Sequence, residues 1–125
     1  MSKLTENDIA ALRTALEDVA PVMSAMGDEA RMHLLLTLLS GECTGSRVAE
    51  LTEKAAMSRA SVSHHLQILK QAGLVKVRKE GTLVYYYLDP EAKQILKMKS
   101  LFDRISEMIQ FLPDRTGDEL NGGKA

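Results

Sequence analysis

Apolar residues along this chain recur mostly at helical intervals, and the stretch from Val48 to Ala72 shows this best. Val48, Leu51 and Ala55 step by three and four, which gives one apolar stripe. Ala55, Ala56 and Met57 form a compact linker, and a second helix follows from Ser58 to Gly73, SRASVSHHLQILKQAG. Ser58 is a natural N-cap, because its hydroxyl can accept from otherwise unpaired amides of the next turn. Gly73 suits the left-handed conformation that closes a helix. On a helical wheel Val62, Leu66, Leu69 and Ala72 take one side, with Ser58 and His65 at its margin. Ala60, Ser63, His64, Gln67 and Gln71 take the other, with Arg59 and Ser61 flanking near the start.

The remaining pattern frames this pair. Thr5 and Asp8 resemble a capping box, and Ile9, Leu12, Leu16 and Val19 then form a narrow seam that Pro21 is expected to break or restart. Asp28 and Glu29 favour a helix start. The segment ARMHLLLTLLSG that follows is apolar nearly all round, so it is expected to be covered on several sides and to end at Gly41. After the central pair, Val75 and Val77 alternate with Lys76 and Arg78, Glu80-Gly81-Thr82 turns the chain, and LVYYYL returns it, a β-hairpin. Asp89-Pro90 reads as a cap followed by proline at the first helical position. Ile95, Met98, Phe102, Ile105, Ile109 and Leu112 then alternate by three and four, a coiled-coil seam widened by Leu101 and Met108. A helix from Pro90 to Leu112 is roughly 33 Å long, too long for one small domain to cover. Pro113 stops it. The economical reading is a homodimer interface on the two outermost helices, made of Ile9, Leu12, Leu16, Met98, Phe102, Ile105, Ile109 and Leu112.

Composition changes this picture little. The 125 residues, 45% hydrophobic and 26% charged, suit one mainly α domain over 1–113, with about five helices and a small β-hairpin. The polar tail 114–125 is expected to be disordered. Charge distribution says more than the net value of −1: between Arg47 and Lys79 seven basic residues face two acidic ones, leaving nine basic against fifteen acidic elsewhere. The positive charge coincides with the second helix of the pair, as phosphate contacts require. The single cysteine, Cys43, allows no intrachain disulfide. The N-terminus lacks the apolar core of a signal peptide, and no run approaches bilayer length, so a cytoplasmic protein without membrane contact is expected.

An exposed side made of small and hydrogen-bonding residues, rather than Glu and Lys pairs, can enter a major groove of double-stranded DNA. A helix inserted this way reads base edges mainly with its N-terminal residues. That singles out Arg59, Ser61, Ser63, His64 and Gln67. Arginine can pair with guanine in two bonds, glutamine can do so with adenine, and serine fits base or phosphate. A hairpin directly after such a helix, with Arg78 and Lys79 near its tip, is a wing that can lie on phosphates. His65 borders Val62 and Leu69 and is expected to be packed. His33 is expected to be a helix-surface or packed histidine, since no second ligand stands at a helical spacing from it.

The order of elements, with MGDEARMHLLLTLL at Met26–Leu39, MSRASVSHHLQILKQAGLV at Met57–Val75 and RKEGTLVYYYL at Arg78–Leu88, resembles the ArsR/SmtB family of bacterial winged helix-turn-helix repressors, over about Ile9 to Leu112. The resemblance implies a homodimer, paired through its first and last helices, that binds an operator and releases it when an effector arrives. Metal-sensing members of the family carry thiolates near the start of the helix before the reading helix, or carboxylate and histidine ligands on the last helix. This sequence departs from both patterns, with Cys43 alone and no histidine after His65. No metal and no cofactor are therefore expected, and the effector is left unidentified. Thr82 stands where many relatives place a basic wing residue, which weakens a minor-groove contact there. Two other readings stand beside the repressor: a winged-helix module that binds protein, which would not retain random duplex DNA at low salt, and a redox sensor acting through Cys43. An enzyme is not expected. The histidines are His33, His64 and His65, and no HExxH or glycine-rich phosphate loop is present.

Overall fold

A computed structural model describes residues 4–41 and 45–112. Cys43, Pro113 and the tail 114–125 lie outside the described residues, so the expectations attached to them are not addressed by it. The elements run α1 (Glu6–Met26), α2 (Glu29–Leu39), α3 (Val48–Ala55), α4 (Arg59–Gln71), β1 (Val75–Glu80), β2 (Leu83–Leu88) and α5 (Lys93–Gln110).

Local chemistry accounts for most boundaries. Thr5 Oγ1 accepts from the Asp8 amide at 3.1 Å while Asp8 Oδ2 accepts from the Thr5 amide at 2.8 Å, closing the capping box. The Thr5 amide holds the Asp8 carboxyl below its ordinary range. Asp28 caps α2 by accepting from the Arg31 amide at 3.0 Å, and that bond lowers its pKa. Ser58 caps α4 through the Ser61 amide at 3.1 Å. Past the end of α4, Gly73 adopts φ +83, where a side chain would be strained.

β1 and β2 pair antiparallel from Val75 opposite Leu88 to Glu80 opposite Leu83. Gly81 and Thr82 make the turn. The hairpin is tied to the loop before α3 by a two-way backbone pair: the Ser46 amide donates to Tyr86 O at 2.9 Å and the Tyr86 amide to Ser46 O at 2.8 Å. Gly45 makes that approach possible, since a Cβ there would stand 3.1 Å from both Tyr85 Cβ and Tyr86 O.

One core joins all the helices and the root of the hairpin. Val19 and Val22 of α1, Leu34 of α2, Leu51 of α3, Val62, Leu66 and Leu69 of α4, Val75 of β1 and Leu101 of α5 are all buried to 2% exposure or less. Each contributes about 1.5–3 kcal/mol relative to leaving it in water. α4 sits on this core with its apolar side fully used, which fixes the rotation of its other side.

Four expectations from the sequence need correction. α1 runs unbroken through Pro21, which lies exposed on its outer side while Val19, Val22 and Ala25 anchor the same turns in the core. The lost hydrogen bond is offset by that burial. Ala55 is the last residue of α3 rather than part of the linker, and the turn is made by Ala56, in a left-handed conformation with φ 54. α2 is covered on one side only within a subunit: Leu34 and Leu38 are buried, whereas Leu36 and Leu39 are 58% and 69% exposed.

α5, lastly, begins at Lys93, not Pro90, which makes it about 27 Å long. Asp89 accepts from the amides of Glu91 at 3.0 Å and Lys93 at 3.2 Å, so Asp-Pro forms a turn before the helix rather than its first turn. Burial pushes the Asp89 carboxyl up, but those two amides and Lys76 at 3.9 Å together leave it below the ordinary range.

The seams of the outer helices resolve into two stripes each. On α5, Met98, Leu101 and Ile105 pack inward, so Leu101 belongs to the core rather than to a widened seam. Ile95, Phe102 and Ile109, spaced by seven, remain 42%, 51% and 57% exposed, and Leu112 lies past the helix end. On α1, Leu12, Ala15, Val19 and Val22 face the core, while Ile9, Leu16 and Met23, also spaced by seven, stay exposed. The two helices are bridged by Lys97 and Asp18 at 3.3 Å.

Candidate nucleic-acid interface

Arg59 opens α4, and Ser61, Ser63, His64 and Gln67 follow, all exposed; His64 and Gln67 lie on the side away from Val62, Leu66 and Leu69, Ser61 and Ser63 flank it, and Arg59 stands one turn before Val62. The first turn carries no acidic residue. The side chains of Arg59, Ser63 and Gln67 enter no hydrogen bond or ion pair among the described residues, so their donors and acceptors face solvent. A helix start with free amides, its positive dipole end and an arginine is favourable ground for a phosphate, while the serines, imidazole and carboxamide beyond it can meet base edges.

His65 is placed differently from its neighbour. It is half-buried, its ring tilted 51° to that of His64 at 5.6 Å, and its Nδ1 accepts from the Arg31 guanidinium at 3.4 Å. An arginine can only donate, so this contact uses Nδ1 as the acceptor. Arg31 also donates from Nε to Ala25 O at 2.7 Å and lies 3.9 Å from Asp28. One guanidinium thus ties the ends of α1 and α2 to the middle of α4. The sequence reading missed Arg31. Its only signal was a basic residue three positions after the Asp28 cap.

The wing presents its two basic residues unequally. Arg78 lies over the Tyr85 ring at 4.4 Å and is ion-paired with Glu80, so its charge is already engaged on the hairpin. Lys79 is exposed beside it. Arg47, Lys54 and Lys70 are exposed as well, around the same helix pair. If this surface lies on phosphates, Lys79→Ala should flatten the slope of log affinity against log salt by about one unit per subunit. Arg78→Ala should flatten it less, because Glu80 already neutralises part of that charge. Fluorescence anisotropy on one duplex across a salt series reads both.

Among the described residues no group of three or more His, Cys, Asp or Glu could hold an ion. α5 offers Asp103 and Glu107 without a histidine, and Asp103 faces Lys99 at 3.4 Å. Soft ions want several thiolates, and the chain has one cysteine. No helix among the described residues is long and apolar enough to cross a membrane.

The comparisons with known proteins match this geometry. A family model described as bacterial regulatory protein, arsR family, covers residues 28–77, from the cap of α2 into β1. The cadmium resistance transcriptional regulatory protein CadC homolog of Staphylococcus aureus is 44% identical over 89 residues, spanning 70% of this chain and 71% of that protein. The transcriptional repressor SdpR of Bacillus subtilis is 33% identical over 91 residues, spanning 73% and 89%. Among solved structures, the homodimeric winged helix-turn-helix DNA-binding domain of Mb0332 from Mycobacterium bovis superposes with a TM-score of 0.57 at 28% identity, covering 86% of this chain and 91% of that one. These relatives are transcriptional regulators, not enzymes. With its helix pair, its wing and this degree of identity, the chain belongs to the arsR family of bacterial regulatory proteins and is a winged helix-turn-helix transcriptional regulator.

Proposed function

We propose that the chain acts in the cytoplasm as a homodimeric repressor that lays α4 of each subunit into successive major grooves of an inverted-repeat operator and leaves it when a non-metal effector binds. The observation that carries this reading is the exposed, carboxylate-free start of α4: Ser61, Ser63, His64 and Gln67 are turned outward because Val62, Leu66 and Leu69 hold the apolar side in the core, and Arg59 lies exposed one turn before Val62. Repression is supported by the SdpR relative and by simple occlusion, since a dimer covering two half-sites about 34–36 Å apart shields a promoter. Dimerisation is supported by the homodimeric relative and by the apolar stripes that α1 and α5 leave exposed. The donor set disfavours a metal as the signal.

Selection of bound duplexes from a random pool tests this reading, followed by placing the recovered site over a reporter promoter. A two-fold symmetric site whose occupancy lowers reporter output is expected. Recovery of an asymmetric site overturns the dimeric mode, and a rise in output overturns repression.

A further inference from the structure

A cavity of about 550 Å³ opens between the end of α1, one side of α2 and the start of α5. Its walls are apolar: Met26 of α1, Met32, Leu36 and Leu39 of α2, Leu88 of β2 and Ile95 of α5. Two polar side chains border it. Asp89 is already engaged by the amides of Glu91 and Lys93 and by Lys76. The Gln94 side chain forms no hydrogen bond among the described residues, and its Cγ stands 3.2 Å from where a Cβ on Gly73 would be. The carboxamide thus lies beside Gly73, at the end of the reading helix, with its hydrogen-bonding capacity unspent.

A cavity with such walls is poor ground for water, which needs two to four polar partners. Its size is that of sites for drug-sized molecules, which bind in mostly apolar clefts with a few placed polar groups. A cation would find no free carboxylate, and an anion would meet Asp89, so the occupant is uncharged. The segment after residue 113 does not match the walls, since its polar sequence DRTGDELNGGKA offers a single leucine, Leu120. A second copy is matched instead by the stripes spaced by seven on α1 and α5, of which only Ile95 also borders the cavity.

We infer that this cavity is the effector site and that it takes an uncharged, mainly apolar, drug-sized small molecule, with one hydrogen-bonding group opposite Gln94. This rests on the regulator reading above. The same walls include Gly73 and Leu74, where α4 passes into the wing, and Asp89 and Pro90, where the wing passes into α5. An occupant therefore touches both joints that set the angle of the reading helix and wing against the dimer helices. It shifts DNA affinity to the extent that it fits one setting of those joints better than another.

The test uses the full chain and N-phenyl-1-naphthylamine, a neutral fluorophore with one N–H that brightens when desolvated. Saturable binding at one probe per subunit is expected, weakened at least tenfold by Leu36→Trp, which fills the cavity, and by Leu39→Glu, which charges its wall. Both positions are more than half exposed, so neither change disturbs the core. Saturating probe should also change affinity for the selected duplex at least fivefold. Absence of probe binding, as when a second copy covers the cavity, overturns the proposal. Unchanged probe binding in both variants, or unchanged duplex affinity at saturation, overturns it too. Failure of the wild-type protein to bind any duplex would instead remove the regulator reading, while the titration still decides whether the cavity binds.

Discussion

Replacing Phe102 with glutamate should halve the sedimenting mass of the protein at micromolar concentration and leave each subunit folded. Phe102 is 51% exposed within a subunit, in line with Ile95 and Ile109 on the outer stripe of α5. In a two-fold interface the substitution is met twice. Each buried, unpaired carboxylate costs several kcal/mol, so the dimer constant should weaken by about a thousandfold or more. Operator affinity falls with it, because two linked half-sites become two separate ones and about 10²–10⁴ in avidity is lost. The adjacent position gives the control. Leu101 is 2% exposed, and Leu101→Glu should abolish the folded helical signal altogether. Sedimentation together with circular dichroism separates the two outcomes. An unchanged mass for Phe102→Glu would place the interface elsewhere, and a monomeric wild-type protein would remove it.

That contrast between neighbours also shows where the sequence was legible and where it was not. α4 was readable in full because cap, apolar side and closing glycine all gave the same answer, and the structure uses Ser58, Val62, Leu66, Leu69 and Gly73 as the pattern required. The hairpin was readable for a similar reason, with alternation and a Gly81 turn in agreement. The seam on α5 was readable only as a sum. Spacing by three and four merges two adjacent stripes, and it took the packing of Met98, Leu101 and Ile105 against the core to show which half is left for a partner.

Asp89-Pro90 misled because the same two residues suit a helix start and a turn, and the carboxylate chose between them by reaching the amides of Glu91 and Lys93. Arg31 was invisible because its three partners, Ala25, Asp28 and His65, come together only when α1, α2 and α4 pack. The cavity was hidden for the converse reason. An all-round apolar α2 reads as covered, and only the tertiary arrangement shows that Leu36 and Leu39 face open space.

On the DNA side, His64→Ala and Ser63→Ala should each relax base preference at one or two positions of the half-site while barely changing affinity for random duplex. A lost base contact costs about 1–3 kcal/mol. With one reading helix per half-site, the dimer loses about 2–6 kcal/mol on its selected operator, roughly 30-fold to 10⁴-fold. Arg59→Ala should act in the same direction if the guanidinium meets a base. If it meets phosphate at the helix start, it should weaken all sequences alike and flatten the salt slope. His65→Ala should do neither. It removes the acceptor for the Arg31 guanidinium, leaving that donor short of a partner between α2 and α4, so thermal stability falls while the recovered site keeps its sequence. Repeating the selection with each variant reads all four results. An unaltered site for both Ser63→Ala and His64→Ala would mean that the exposed side of α4 does not read bases; among the described residues no other helix presents hydrogen-bonding side chains over a first turn free of carboxylates and backed by three fully buried residues.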